Sequence, residues 1–270
     1  LRRKSFADEL KGMPIQNLWL DIPEINSQAQ ERLGYPTQKP QALLERILSA
    51  SSNEGDVVLD PFCGCGTTVH AAQKLNREWI GIDITHLAIS LIQKRLRDAF
   101  PLVKIDVHGV PKDLEGARDL AKRDPYQFQW WAVSLVDAVP YGNKKKGADG
   151  GVDGLIYFKP DGKTTEKAIV SVKGGENVGV GMIRDLIATV EREKAKMGLL
   201  ITLTEATSAM RKEAVSSGYY RTDAQGDFAK IQIITIEELL NGKQPQTPWV
   251  DPNVFKRAKR EMKGEQQKLL

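Results

Sequence analysis

Asp60-Pro61-Phe62-Cys63-Gly64-Cys65-Gly66-Thr67-Thr68 is the stretch on which the reading of this chain turns. It follows a short apolar run, Asp56-Val57-Val58-Leu59-Asp60, which reads as a buried strand, and it precedes a helical pattern over 67–76. A second strand, Trp79-Ile80-Gly81-Ile82-Asp83, comes next, then a helix over 86–99 and a weaker strand over 103–107. Ahead of the run, Leu43, Leu44, Ile47 and Leu48 repeat at helical spacing behind Pro40. Alternating strands and helices predict a parallel sheet with helices packed on it. Gly64 and Gly66 allow a tight turn and a close approach to a ligand. The N–H groups opening the next helix offer donors to a polar group. Asp83 lies 19 residues beyond Gly64, where a doubly wound nucleotide fold grips a ribose diol. The lysine-bearing phosphate loop GxxxxGK[ST] is absent, which argues against an NTPase.

Outward from this segment, residues 14–36 are polar and broken by Pro14, Pro23 and Pro36, the pattern of a surface loop. Residues 111–125 read as a helical or coiled connector. From Tyr126 the alternation restarts with a Trp-rich helix over 126–137 and a Lys/Gly-rich loop over 142–151. Strands at 154–159 and 167–173, a helix at 180–196, a strand at 198–203, a helix at 206–217 and a strand at 231–235 follow. The fold class is therefore α/β twice over. The expected divisions are 1–110, a connector 111–125, a smaller α/β domain 126–245 and a basic tail 246–270.

Composition narrows the function classes. The 270 residues are 41% hydrophobic and 27% charged, an ordinary globular balance rather than a disordered or fibrous one. Two cysteines cannot staple a fold of this size, and no apolar run approaches the roughly 18 residues that span a bilayer, so a cytoplasmic protein without a membrane partner is expected. The net charge is +4. Residues 121–270 carry the positive excess, which makes that part the better candidate for a polyanion. Cys63 and Cys65 lack a partnering Cys or His pair and read as small residues in a tight turn, not as zinc ligands. His70, His86 and His108 show no ligand spacing.

In the second part, Asp153 follows Lys144-Lys145-Lys146-Gly147-Ala148-Asp149-Gly150-Gly151-Val152, and Ser171-Val172-Lys173 ends the next strand 20 residues later. A carboxylate and a lysine on neighbouring strand ends can share a site for metal-assisted phosphodiester hydrolysis, Asp153 holding Mg2+ and Lys173 orienting water or stabilising developing charge. The plain alternative is a surface Asp and Lys on adjacent strands. Trp130 and Trp131 could stack on bases, but an amphipathic helix more often buries them in a core. Lys144, Lys145 and Lys146 are candidate phosphate contacts.

Two resemblances extend these readings. DPFCGCGTT resembles the S-adenosylmethionine-binding motif I of the DNA amino-methyltransferases, Tyr35-Pro36-Thr37-Gln38-Lys39-Pro40 resembles their motif X, and Trp79-Ile80-Gly81-Ile82-Asp83 their motif II. Motif X shortly ahead of motif I is the order of the beta class. The resemblance implies a Rossmann-like half that binds S-adenosylmethionine. Asp60, Pro61, Phe62, Gly64, Gly66 and Thr67 would form the loop on the methionine side, Thr37 and Lys39 would close over it, and Asp83 would take the ribose hydroxyls. It implies double-stranded DNA as partner and the exocyclic amine of adenine or cytosine as target, with adenine N6 as the working expectation. The family's catalytic tetrapeptide, Asp/Asn/Ser-Pro-Pro-aromatic, should stand upstream of motif X, yet no Pro-Pro pair occurs anywhere. With Leu1 at the start, the expectation is that the catalytic and target-recognition parts lie on the N-terminal side, and that this chain binds cofactor without methylating alone.

The order helix, G-x-D-G, strand, V-x-V-K, helix over 126–217 resembles the Mrr-type restriction endonucleases, a branch of the PD-(D/E)XK nucleases. Asp153 then matches the metal-binding acid and Lys173 the catalytic lysine. Ser171 stands where that family has an acid or Gln, and Gln129 where the first helix often carries Glu. Glu176 and Glu191 are candidates for a replacement acid. The combined expectation is a restriction-modification methyltransferase carrying an endonuclease-like domain. Its alternative is a DNA-binding module whose nuclease-like domain has lost catalysis and only positions the methyltransferase.

Overall fold

The computed structural model describes residues 18–141 and 150–248, apart from Ser27, Gln30, Gly34, Pro36 and Ala224. Pro36 of the expected motif X, Lys144, Lys145 and Lys146, and the tail beyond 248 lie outside the described residues. The chain divides into two compact units. Among the described residues, the first takes in 18–84 and 91–104, and the second 85–90, 105–141 and 150–248.

The first unit is built on α1 (Gln41–Ser51), β1 (Val57–Asp60), α2 (Thr67–Lys74), β2 (Glu78–Gly81) and most of α3 (His86–Ala99). β1 and β2 pair in parallel, with Val58 opposite Trp79 and Asp60 opposite Gly81. Alternation along the strands sorts side chains by face. Val58 and Trp79 turn toward the helices, where they meet Leu44, Leu48, Ala71, Ala72 and Leu75. Val57, Leu59 and Ile80 turn the other way and stay 64%, 59% and 54% exposed. The strand expected at 103–107 does not form: the stretch has no strand assignment, and the only sheet of this unit among the described residues is the β1–β2 pair.

The second unit holds a five-stranded sheet in the order β3 (Val139–Pro140), β4 (Gly154–Phe158), β5 (Glu166–Lys173), β6 (Met197–Thr202), β9 (Ile231–Thr235). β4 runs antiparallel to both its neighbours, β3 and β5, while β5, β6 and β9 are parallel. Pro140 sits on the outermost strand, where its missing N–H costs no ladder bond. One face packs Val170, Val172 and Ile201 against α4 (Leu114–Arg123), α5 (Pro125–Ser134) and α8 (Ile236–Leu240). The other packs Ile169 and Leu200 against α6 (Val180–Arg192) and α7 (Ser208–Ser216). A hairpin, β7 (Tyr219–Thr222) and β8 (Gly226–Ala229), was not read from the sequence. Residues 111–125, expected as a connector, contribute Ala117, Leu120 and Ala121 to the core of this unit. Asp113 caps α4 by accepting from the Gly116 N–H at 2.8 Å, and Asp124 caps α5. Trp131 is buried beside Phe128 and serves packing, while Trp130 is only half-buried.

Candidate functional site

In the first unit, the loop between β1 and α2 is fixed from beneath by the backbone. Ile82 donates to the Asp60 carbonyl and Cys63 donates to the Ile82 carbonyl, both at 2.9 Å, so the two strand ends are stitched past the formal sheet. Asp60 accepts from the Phe62 N–H at 3.1 Å, and Asp83 reaches back to accept from the Gly64 N–H at 3.0 Å. Asp83, singled out by spacing, and Asp60, named through the resemblance, therefore stand together at the carboxyl ends of adjacent parallel strands, where ligands bind in open α/β sheets. Both are half-buried, while Pro61 and Phe62 between them are exposed, Phe62 by 86%.

The two glycines do not serve one purpose. Both hold positive φ, +49° at Gly64 and +73° at Gly66, which favours glycine. A Cβ on Gly64 would stand 3.1 Å from the Tyr35 ring, and one on Gly66 2.6 Å from Cγ1 of Ile92. The close approach they permit in this structure is thus made by the protein's own side chains. Tyr35, in the segment read as motif X, lies against Gly64 of the loop read as motif I. Burial raises the Tyr35 phenol above its usual pKa, with Asp83, Cys65 and Cys63 adding to the shift. Thr37 and Lys39 are both exposed. The segment is held by Gln38, which accepts from the Leu33 N–H at 2.8 Å, and by Glu31, which accepts from the Gln41 N–H at 2.9 Å.

Thr67 is buried, and its hydroxyl accepts from Arg95 at 3.2 Å. Arg95 and His70 are the residues that sequence reasoning missed. Arg95 is 3% exposed and donates from Nε to Nδ1 of His70 at 3.1 Å, from Nη1 to the Cys65 carbonyl at 3.3 Å, and from Nη2 to Oε1 of Gln41 at 3.3 Å. Burial, with Arg95 and then Lys74 nearby, pushes the His70 pKa down to about 3. Cys63 is likewise held as a thiol: burial, then Asp83 and Asp60, push it up to about 11. No signal in the sequence separates Arg95 from the other basic residues of its helix, because its partners lie 25 to 54 positions away.

In the second unit, Asp153 is joined to β5 at two points. Its N–H donates to the Val170 carbonyl at 2.9 Å, and its Oδ2 accepts from the Val172 N–H at 2.7 Å. Ser171 and Lys173 share one face of β5, and Ser171 is 4% exposed. The structure thus brings Asp153, Ser171 and Lys173 to neighbouring strand ends. Gln129 lies on α5, which packs against the opposite face of the sheet. Glu176 and Glu191 are exposed. Among the described residues, no three His, Cys, Asp or Glu side chains converge into a metal cage. Among the described residues, one carboxylate and one buried hydroxyl are a poor donor set for Mg2+, which favours carboxylate oxygens, and they do not fit the ion.

Residues 2–94 match a family model described as DNA methylase, and residues 132–241 match one described as NACHT-associated inactive Restriction Endonuclease 1. The chain is 42% identical over 94 residues to Type II methyltransferase M.EcaI of Enterobacter cloacae, covering 35% of this chain and 21% of that protein. It is 48% identical over 80 residues to DNA adenine methyltransferase YhdJ of Escherichia coli (strain K12), covering 30% and 27%. The crystal structure of the M1.HpyAVI–SAM complex aligns with 45% identity and a TM-score of 0.24, over 24% of this chain and 33% of that one. The chain spans about a fifth to a third of the length of the curated relatives it matches. Among the described residues, no helix is long and apolar enough to cross a membrane. Residues 2–94 are therefore similar to DNA methylases, and residues 132–241 to an endonuclease family described as inactive.

Proposed function

We propose that the first unit is the S-adenosylmethionine-binding part of a DNA amino-methyltransferase acting in restriction-modification, with adenine N6 as its target. The observation that carries this reading is the meeting of three separated segments at the ends of two parallel strands: Tyr35 over Gly64, and Asp83 bonded to the Gly64 amide. The residues suit the cofactor. Asp83 and Asp60 offer carboxylate acceptors to hydroxyl and ammonium groups, exposed Phe62 offers an apolar surface, and Thr37 and Lys39 stand at the loop's edge. S-adenosylmethionine would supply an electrophilic methyl group. This chain's part is to hold it. The sequence has no Asp/Asn/Ser-Pro-Pro-aromatic tetrapeptide to polarise the target amine, so binding without turnover is expected. Calorimetric titration of S-adenosylmethionine into the chain and its Asp83→Ala variant tests the reading. Binding that the substitution weakens at least tenfold supports it, and a folded parent chain that does not bind overturns it.

For the second unit, the Mrr-type reading with Mg2+-dependent cleavage rests on the pairing of Asp153 with the Lys173 strand. Buried Ser171 in the place of an acid favours the other reading, a PD-(D/E)XK-like domain that contacts double-stranded DNA without cutting it. Lys173 and the lysines 144–146 would then contact phosphate, with affinity falling as salt rises.

A further inference from the structure

The buried guanidinium of Arg95 is the strongest feature not used by the reading above. Its carbon skeleton rises from α3, and its planar fork reaches four neutral acceptors belonging to three other segments. These are the Cys65 carbonyl inside the glycine loop, the Thr67 hydroxyl at the start of α2 and Nδ1 of His70 one turn later, and the Gln41 amide oxygen at the start of α1. A lysine could not reproduce this, since one ammonium cannot satisfy such a spread of acceptors in a plane. Gln41 directly follows the segment read as motif X, and its own N–H donates to the carboxylate of Glu31, whose carbonyl accepts from the Gln38 side chain. The same guanidinium therefore ties together the two segments proposed to enclose the cofactor. Cys65 stands between Gly64 and Gly66, both at positive φ, so its carbonyl direction decides how the loop's amides face outward. Below the loop, Ile92, one turn earlier on α3, fills the space that a Cβ on Gly66 would need. α3 thus presents one apolar and one charged support to the same loop.

We propose that Arg95 is a positioning residue for the cofactor loop, clasping the Tyr35–Gln41 segment and the Cys63–Thr67 loop in the conformation that binds S-adenosylmethionine. The inference rests on the reading of that loop as a cofactor site, and it concerns a residue that never touches the ligand.

Two readouts on the full chain separate the clasp from the site it serves. Hydrogen–deuterium exchange, without ligand, reports the loop itself. In Arg95→Met and Arg95→Lys, the amides of residues 62–68 should exchange at least tenfold faster while those of β1 and β2 keep their protection. Titration with S-adenosylmethionine reports the consequence. Both variants should bind at least tenfold more weakly at a temperature where circular dichroism shows them folded. The lysine variant should fail as badly as the methionine one, because geometry rather than charge is at stake. Thr67→Val, which removes one acceptor at nearly constant volume, gives a milder version of both effects should the Arg95 variants not fold. Loop exchange and affinity within twofold of the parent in a folded Arg95 variant, or in Thr67→Val when that is the one available, overturn the clasp. Accelerated exchange in a parent chain that binds no S-adenosylmethionine would leave the loop clasped but overturn its assignment to that cofactor.

Discussion

Gly66 is held by two independent demands, a left-handed backbone and a side chain pressed into the space where its Cβ would be. Gly66→Ala should therefore cost about 2–4 kcal/mol, combining backbone strain with overpacking, and thermal unfolding of the first unit measures it. Gly64→Ala should cost less, about 1–2 kcal/mol, because the Tyr35 ring can yield by a few tenths of an ångström. His70 gives a prediction in pH. Its folded pKa is near 3 against about 6.5 unfolded, so between those values the unfolded chain binds the extra proton. The contribution is fully present above about pH 6.5 and is lost as pH falls toward 3, to the extent of several kcal/mol. His70→Gln, which keeps an acceptor for Arg95, should flatten the stability–pH slope of the first unit across pH 3–6. An unchanged slope would place the titration elsewhere.

At the scale of elements, the β1–β2 pair is covered by helices on one face only among the described residues. Parallel sheets are normally buried on both sides, and a contiguous exposed aliphatic face attracts apolar probes. Anilinonaphthalene sulfonate should bind the chain, and the double substitution Leu59→Thr, Ile80→Thr should reduce that binding while shifting stability by no more than about 0.5 kcal/mol. A large loss of stability would mean the face is packed. The elements themselves show what a sequence reveals. The apolar run Ile169-Val170 marks its strand within a residue or two because burial demands it, whereas Val57-Val58-Leu59, expected as a buried strand, forms one of which Val57 and Leu59 stay exposed. The run Val103-Lys104-Ile105-Asp106-Val107 alternates apolar and charged residues as a strand can, yet it pairs with no strand among the described residues, and pairing is not local. The β7–β8 hairpin escaped notice because Tyr219-Tyr220-Arg221-Thr222 is too short and too polar to stand out. Residues 111–125 looked like a connector because α4 buries little more than two alanines and a leucine.

For the whole molecule, two units with different site chemistry make separable predictions. Supercoiled plasmid incubated with the chain and millimolar Mg2+ should remain uncut, and Asp153→Ala should change nothing. Nicking by the parent that the substitution abolishes would restore a cleaving role. The candidate cofactor site was legible from sequence where spacing is fixed by topology, as with Gly64 and Asp83, and illegible where distant residues converge, as with Arg95. The nuclease-like site was legible in position through Asp153 and Lys173. Its poor fit to a metal is clear only from the burial of Ser171, with no group of three His, Cys, Asp or Glu side chains gathered there among the described residues. The central claim is that the strand ends bearing Asp60 and Asp83, under Tyr35, bind S-adenosylmethionine. Amide chemical-shift mapping on the isotope-labelled chain tests it most directly. The account predicts shifts on adding S-adenosylmethionine confined to Tyr35–Lys39, Asp60–Thr67 and Asp83–Ile84. Shifts that fall instead in the second unit, or none at saturating cofactor, would contradict it.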